Sequence, residues 1–310
     1  MWIINNSLDV IRVLEEKQLS LNHVSTWDFS TLYTSLPHAQ LKKQLHDLLE
    51  RVFNTKGKSF IATNNFRTFW TNDRTSTRYT YFSCRELCLA IDFLIDNIYV
   101  RFGSSVFRQV IGIPMGTNSA PLLADLFLHT FEYDFMVKTM KQDITRAIQF
   151  SNTFRYIDDL FSANNVDFGN YITAIYPSEL ELKDTSTSST EVCYLDTNIK
   201  TGENTPFRIS IYDKREDFVF RIVNFPHMDS NIPANPAYGV YISQLVRYAR
   251  ICTSKVDFIN RLRGLSLRLR QQGFETNLLQ KSFNKFFTRH GLIVEKYGAA
   301  LREMRLAIQA

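Results

Sequence analysis

The sequence predicts an α+β protein in which hairpins and helices alternate before a helical C-terminal part. Two stretches, residues 99–109 and 154–161, have two apolar runs around a short turn, which is typical of hairpins. Residues 261–270 instead place leucines at helical spacing between arginines. The chain has 310 residues, 45% of them hydrophobic and 14% aromatic, which allows one large domain or two smaller ones with a buried core.

Before residue 120, the spacing of apolar residues predicts helices and strands in turn. Residues 7–18 have near-helical spacing, with Ser7 as the expected N-cap. Val24–Phe29 has the composition of a buried strand. Further along we expect a helix at 39–52, a polar excursion with edge strands at 54–76, and a helix from Ser83 that leads into the first hairpin.

After residue 120, the same patterns predict further helices and strands. We expect helices at 122–136 and 170–176, and strands at 180–183, 192–199, 207–212 and 217–223. Three prolines, Pro226, Pro233 and Pro236, mark an irregular crossing. We therefore predict a first domain at 1–225 and a basic helical domain at 226–310.

The second hairpin has two acids, Asp158 and Asp159, at its turn. Two neighbouring anions repel each other and are costly to bury, and a divalent cation such as Mg²⁺ removes that cost. Asp28, at the end of an apolar strand, is the natural third carboxylate, and Tyr33 lies close enough in sequence to border the site. Two simpler interpretations stay open: a solvated Asp-Asp turn, and an Asp28 that caps the turn following its strand.

A loop rich in glycine and proline, residues 109–121, is the second candidate for a functional site. Gly112, Pro114, Gly116 and Pro121 indicate a tightly turning backbone whose NH groups are available to a ligand. Because a strongly helical stretch follows, the loop lies at a helix N-terminus, which favours phosphate or a closely approaching base pair. A plain turn is the alternative.

The net charge of +5 hides an asymmetry along the chain. Residues 240–310 contain 13 Lys/Arg against 4 Asp/Glu, so the acids are concentrated in the part with the candidate metal site. This division suits an enzyme that holds cations in one part and a polyanion in another. A solvated basic helical surface is the alternative.

Composition also excludes several classes of protein. The best apolar run, residues 87–100, is interrupted by Asp92 and Asp96, and the N-terminus lacks the features of a signal peptide. We therefore expect a soluble, intracellular protein with no membrane partner. The four cysteines are too few and too scattered for a disulfide framework or a zinc site, and we expect buried thiols.

Three stretches, in this order, resemble the palm motifs of reverse transcriptases. They are Asp-Phe-Ser-Thr-Leu-Tyr-Thr at 28–34, Gly-Ile-Pro-Met-Gly at 112–116 with Ala-Pro at 120–121, and Tyr-Ile-Asp-Asp at 156–159. The amino-acid sequences of these motifs, together with Tyr-Leu-Asp at 194–196, are most similar to those of Penelope-like retroelements, which are related to telomerase. The resemblance is firm over about residues 20–200 and loose thereafter.

The resemblance implies a palm of antiparallel strands backed by helices, partial fingers and a helical C-terminal thumb. It implies an RNA-directed DNA polymerase that uses two Mg²⁺ ions, or Mn²⁺ instead, with an RNA template, a DNA primer and dNTPs as partners. It also implies nuclear residence. The sequence predicts no oligomeric state.

The resemblance also assigns roles to individual residues. Asp28 and Asp158 would bind both metals, Asp159 would support the site, and the Phe29 carbonyl would complete one metal shell. Tyr33 would be a steric gate that blocks a ribose 2′-OH. Lys183 would protonate the leaving pyrophosphate, although it could equally be a surface lysine. The remaining substrate-binding residues would be Gln109, Gly112, Pro114, Met115, Gly116 and Tyr156.

One departure from the family leaves alternatives open. Only about 27 residues precede Asp28, and they contain no basic hairpin of the kind that holds a triphosphate in the fingers. We therefore expect palm and thumb with most of the fingers missing. The leading hypothesis is an active polymerase domain. The second is a truncated, non-catalytic remnant that binds nucleic acid through its basic thumb. The third is a nuclease or another two-metal phosphotransferase, and the absence of a further cluster of Asp, Glu or His in the sequence argues against it.

Overall fold

A computed structural model describes residues 2–202, 205–220, 222–298 and 301–309. The chain forms two compact units. The first contains the residues up to Ile3, together with Trp27–Leu160 and Asp167–Asp184. The second contains Ile4–Thr26, Phe161–Val166 and the chain from Thr185 onward. This division differs from the predicted boundary at 225, because the second unit already contains the chain from Thr185, with its strand meander, and two earlier segments.

Eleven α-helices are found in the described residues. They are α1 (Ser7–Glu16), α2 (Leu32–Ser35), α3 (His38–Lys56), α4 (Cys84–Asp96), α5 (Ala120–Gln142), α6 (Ile144–Phe150), α7 (Ile172–Ile175), α8 (Ala234–Ile251), α9 (Lys255–Arg270), α10 (Thr276–Val294) and α11 (Leu301–Gln309). Short 3-10 turns lie at Phe168–Tyr171, Lys214–Asp217 and Glu295–Tyr297.

The described residues also form twelve strands. They are β1 (Val24–Phe29), β2 (Phe60–Thr63), β3 (Thr68–Thr71), β4 (Thr80–Phe82), β5 (Tyr99–Phe102), β6 (Ser105–Arg108), β7 (Thr153–Tyr156), β8 (Asp159–Ala163), β9 (Leu182–Asp184), β10 (Glu191–Tyr194), β11 (Thr197–Thr201) and β12 (Phe207–Ile211). Their sheets have the orders β7-β8-β1-β9, β10-β11-β12, β3-β2-β4 and β5-β6.

Side-chain capping fixes several helix ends. The N-cap of α1 is Asn6, whose side chain accepts a hydrogen bond from the Leu8 amide at 2.9 Å, so the prediction of Ser7 was wrong by one residue. Ser83 and Glu86 form a reciprocal capping box at the start of α4. Both caps leave few unsatisfied amides at the helix start, which is why these helices begin where they do.

The sheet of the first unit has one face toward an aromatic and aliphatic core. Phe29 on β1, Leu160 on β8 and Phe127 on α5 belong to one buried cluster, and Trp27 packs against it. Because side chains alternate along a strand, Asp28 and Asp159 lie on the face opposite the core. The sheet therefore presents acids on one face and hydrophobic residues on the other.

The second unit combines the β10–β12 meander with helices α8 to α11. The predicted single strand at 192–199 is in fact a hairpin, because Leu195 adopts φ +53° and reverses the chain. The predicted strand at 217–223 was also wrong: Lys214–Asp217 forms a 3-10 turn, and no strand follows in the described residues up to 220. Leu262, Leu265 and Leu269 are fully buried along α9, as their spacing predicted.

Two further expectations concern the membrane and the cysteines. None of the helices in the described ranges is long and apolar enough to cross a bilayer. The four cysteines are free thiols, but only Cys252 is buried, while Cys84, Cys88 and Cys193 are half-buried. The prediction of four buried thiols was therefore wrong for three of them, because their helix or strand faces the surface in part.

Candidate active site

The two adjacent acids lie at a tight turn, as the sequence predicted. Ile157 and Asp158 form the two-residue connection between β7 and β8, and Asp159 is the first residue of β8. Ile157 has φ +54°, a backbone conformation that β-branched residues rarely adopt. Such strained positions cluster at functional sites, where the surrounding structure enforces them.

Asp28 lies on the strand next to this turn. β8 neighbours β1 in the sheet, and the Phe29 amide donates a hydrogen bond to the Asp158 carbonyl at 3.3 Å. This bond brings residues that are 129 positions apart in sequence to adjacent points of one sheet. The structure thus brings Asp28 and Asp158 together, as the motif order predicted, and both side chains are partly exposed.

Lys183 lies directly opposite Asp28 in the antiparallel pair of β1 and β9. Opposed residues of such a pair share a face of the sheet, so Lys183 is on the acidic face. Its ammonium group is 3.3 Å from a carboxylate oxygen of Glu181, and the side chain is 58% exposed. The role of Lys183 in protonating pyrophosphate stays a prediction.

The donor groups of the site match the preferences of magnesium. Carboxylate and carbonyl oxygens are hard ligands, and Asp28, Phe29 and Asp158 supply them at one point of the sheet. Within the described ranges, no three His, Cys, Asp or Glu side chains form a cage for one metal ion. Mg²⁺ usually keeps several waters and binds one or two carboxylates together with substrate phosphates, so two partly exposed acids fit that ion.

Tyr33, on the short helix α2, borders the acids. Burial raises the pKa of Tyr33 above its ordinary value, and the nearby carboxylates of Asp158 and Asp125, with Tyr156, raise it further. The phenol is therefore neutral at physiological pH. The ring is half-buried and lies at the edge of the acidic site, as the sequence predicted.

The glycine-proline loop packs against the α2 turn that contains Tyr33. The Ile113 amide donates to the Tyr33 carbonyl at 2.7 Å, and the Gly112 amide donates to the Leu36 carbonyl at 2.8 Å. The Gly112 carbonyl lies 2.7 Å from Nε2 of His38. These three bonds connect the loop to the segment after β1, so the two motifs meet in space.

Other predicted residues of the loop are more exposed. Met115 is 73% exposed, and Gly116 has open space around its Cα. The Gln109 side-chain amide donates to the Ile111 carbonyl at 2.9 Å, which holds the approach to the loop. Pro114 is half-buried. Their contact with a base pair stays a prediction.

Sequence reasoning missed a buried polar network behind the turn. Arg155 is fully buried in β7, and its guanidinium group binds Asp125 and Glu132 of α5. Tyr176 donates to Glu132 at 2.9 Å and packs edge-on against the Phe29 ring, with centroids 4.9 Å apart. A charged residue inside an apolar strand was the available signal, but its partners could not be identified from the sequence.

Comparisons with known proteins bear on the fold. No protein-family model matches the chain, and no curated protein matches it. The solved structure of telomerase from Candida albicans with a TWJ fragment of telomeric RNA matches at TM-score 0.54 and 10% identity, over 99% of this chain and 52% of that chain. Telomerase from Candida tropicalis with a TWJ fragment matches at TM-score 0.47 and 10% identity, over 99% and 50% of the respective chains.

The Candida albicans match defines the fold class. The chain has a telomerase-like reverse-transcriptase fold of mixed helices and antiparallel sheets, and it spans about half the length of the telomerase that it matches. At this level the expectation from the motif resemblance is confirmed. The division into palm, partial fingers and thumb, and the Penelope-like affiliation, stay predictions.

The packing of Gly112 gives a testable prediction. Gly112 has φ +76°, and a Cβ atom there would lie 2.5 Å from the Tyr33 carbonyl oxygen. Gly112→Ala should therefore lower the free energy of unfolding by about 2 to 4 kcal/mol through backbone strain and overpacking. Urea unfolding followed by circular dichroism measures this change.

Gly116→Ala is the matched control, because no atom lies within 4 Å of the position that its added methyl group would occupy. We expect a change within about 0.5 kcal/mol. Equal effects of the two substitutions would contradict the close packing of Gly112 on the α2 turn.

Proposed function

We propose that this chain is an RNA-directed DNA polymerase domain that adds dNTPs to a primer 3′ end. The observation that supports this most strongly is the hydrogen bond from the Phe29 amide to the Asp158 carbonyl, which brings the end of β1 with Asp28 next to the Asp158 turn, within a telomerase-like reverse-transcriptase fold. The hydrogen bonds between the Gly112 loop and the Tyr33 turn also hold the second motif against the first. The Candida albicans telomerase was solved with an RNA fragment, which supports an RNA template here.

In this proposal, the acids hold the metal ions. Asp28 and Asp158, with the Phe29 carbonyl, would hold two Mg²⁺ ions, or Mn²⁺ instead, and Asp159 would support the site. When bound, the ions would stabilise the attacking and leaving oxygens of phosphoryl transfer. Asp28 and Asp158 are both partly exposed, so the phosphates of an incoming nucleotide would reach them from solvent.

Tyr33 and the glycine-proline loop would select the nucleotide. The neutral Tyr33 ring lies beside Asp158 and would exclude a ribose 2′-OH by its bulk. Gly112 permits the close approach of the loop to the backbone of Tyr33 and Thr34, and Pro114, Met115 and Gly116 would bear on the nascent base pair. Lys183, on the acidic face, would donate a proton to pyrophosphate.

The second unit would bind the nucleic-acid backbone through α10. Lys281, Lys285 and Arg289 are exposed and recur every four residues, so they share one side of the helix. Buried Phe283 and Phe286 occupy the other side. Like charges four residues apart repel each other, typically by about 0.2 to 0.5 kcal/mol per pair, and phosphate oxygens relieve that repulsion.

An origin in a Penelope-like retroelement, and with it nuclear residence, is a finer proposal. It rests on the amino-acid sequences of the motifs at 28–37, 112–116 and 194–196. The non-catalytic remnant is the competing hypothesis. It differs from the polymerase only in chemistry, so primer extension distinguishes the two.

Asp158→Asn should abolish polymerase activity, because the amide keeps the shape of the side chain and removes the charge that binds the metal. On poly(rA)–oligo(dT) with Mg²⁺ or Mn²⁺, we expect extension to fall by about a hundredfold or more. Asp47→Asn, an exposed change on α3, is the control and should keep full activity. Salt-sensitive binding without extension by the unchanged chain would support the non-catalytic remnant.

Tyr33→Ala should open the gate against ribonucleotides, because the ring that would fill the space of the 2′-OH is removed. The ratio of ribonucleotide to deoxynucleotide incorporation should rise about 10- to 100-fold. Single-nucleotide extension with dTTP and UTP on a poly(rA) template measures this ratio. Tyr33→Phe retains the ring and should retain selectivity, and a rise in both variants would contradict a steric gate.

Replacing Lys281, Lys285 and Arg289 by Gln should weaken template–primer binding in a salt-dependent manner. Loss of three phosphate contacts should reduce the slope of log binding constant against log salt by about 2 to 3. Fluorescence anisotropy at several salt concentrations measures it. The control replaces three exposed lysines of the first unit, Lys56, Lys138 and Lys141, and an equal change there would indicate a non-specific effect of charge.

A further inference from the structure

The fully buried side chain of Arg155 forms hydrogen bonds on all sides. Its Nη1 donates to a carboxylate oxygen of Asp125 at 2.6 Å and to the Ile157 carbonyl at 2.9 Å. Its Nη2 donates to the Asp125 carbonyl at 3.1 Å and to Glu132 Oε2 at 3.2 Å, and its Nε donates to Glu132 Oε1. One guanidinium group thus connects the helix α5 with the turn that contains Asp158.

This network is an expensive way to fill a core. Arg155 and Glu132 are 0% and 2% exposed, so both charges have lost their hydration. Such a pair generally stabilises a fold no better than apolar residues of the same volume. Burial and the adjacent Glu132 raise the pKa of Tyr176 well above its ordinary value, so that residue stays a neutral donor to the pair. Stability alone therefore gives no reason for the charges.

A second turn in the chain shows what is particular about Arg155. Residues 194–197 have the order Tyr-Leu-Asp-Thr, and Leu195 has φ +53°, so this turn matches the turn at Ile157. There the residue before the tyrosine is Cys193, and Arg247 binds the Asp196 carboxylate itself at 2.7 Å. The turn conformation therefore does not require a buried arginine behind it.

The two arginines act on different atoms. Arg247 neutralises the carboxylate of its turn, whereas Arg155 binds the carbonyl of Ile157. The carbonyl of Asp158 in turn accepts the Phe29 amide. The turn is thus held through backbone atoms on both sides of the Asp158 side chain, and among the described residues no cation forms an ion pair with the Asp158 carboxylate.

We propose that Arg155 is a positioning residue, which tethers the Asp158 turn to α5 through Asp125 and Glu132 and leaves the Asp158 carboxylate available to a divalent cation. The proposal rests on the proposed function, since it concerns the same acids. Partners that orient metal ligands from behind typically change metal affinity or activity by about 10- to 100-fold when they are removed.

Charge and position have opposite effects, which makes the proposal testable. Arg155 is a cation close to the acids, so its removal through electrostatics alone should strengthen the binding of a divalent cation. Loss of the tether should weaken that binding instead. The variants below therefore leave the net charge unchanged, so that weaker binding reports the loss of the tether.

The test measures Mn²⁺ binding to the full chain by electron paramagnetic resonance, and counts the binding that Asp158→Asn abolishes. The first variant is the double substitution Arg155→Met with Glu132→Leu, which removes one charge of each sign and fills the volume with apolar atoms. The second is Arg155→Lys, which keeps the charge and loses the forked contacts to Ile157 and Asp125. Thermal unfolding of each variant is followed in parallel.

We expect both variants to bind Mn²⁺ at least about tenfold more weakly than the unchanged chain. Tyr176→Phe removes one hydrogen bond to Glu132 and none to the turn, so it should lower thermal stability without this loss of affinity. Unchanged or tighter Mn²⁺ binding in a folded Arg155 variant would overturn the proposal, and so would the absence of Asp158-dependent binding in the unchanged chain. If the double variant does not fold, Mn²⁺ binding by the Arg155→Lys variant alone tests the proposal.

Primer extension is read separately. A chain that binds Mn²⁺ at Asp158 but extends no primer contradicts the proposed function, and the effect of Arg155 on Mn²⁺ binding is still measured. The two proposals therefore fail on different observations.

Discussion

The candidate site depends on the placement of negative charge at one end of a sheet. A single backbone hydrogen bond, from the Phe29 amide to the Asp158 carbonyl, joins the end of β1, which contains Asp28, to the turn that contains Asp158. Adjacent anions repel each other, so the arrangement costs free energy unless a cation is bound. The opposite face of the same strands compensates, because Phe29 and Leu160 are almost completely buried in the core of the first unit.

Near these acids, the Gly112 loop and the α2 turn pack against each other through backbone atoms and not through side chains. Gly112 approaches the α2 turn so closely that no side chain fits there, and the carbonyls of Tyr33 and Leu36 accept the amides of the loop. Because the loop is fixed through backbone atoms, the side chain of Met115 remains exposed beside the site.

The local pattern of apolar and turn residues was sufficient to predict the strands and turns that contain the motifs. The strand at Val24–Phe29 and the hairpin around Asp158 lie where alternation and turn residues predicted them. The hairpin at 192–199 was missed because Leu195 makes a left-handed turn without glycine or asparagine, the residues that usually signal one. The network of Arg155 could not be predicted, since its partners lie 30 and 23 residues earlier on a helix whose rotation the sequence leaves open.

Ion pairs reduce the positive charge that the basic C-terminal part can offer to a ligand. Several of its arginines are neutralised within the second unit: Arg247 binds Asp196, Arg261 binds Glu216, and Arg268 lies near both Asp213 and Glu216. The acids come from residues 196–217, outside the basic range 240–310, so the excess of 13 bases over 4 acids in that range overstates the free positive charge. A paired arginine offers little attraction to a phosphate, because its donors and its charge are already engaged. The positive charge available to a polyanion therefore lies on exposed residues such as those along α10, whereas Arg261 and Arg268 of α9 bind the segment from Ile211 to Glu216.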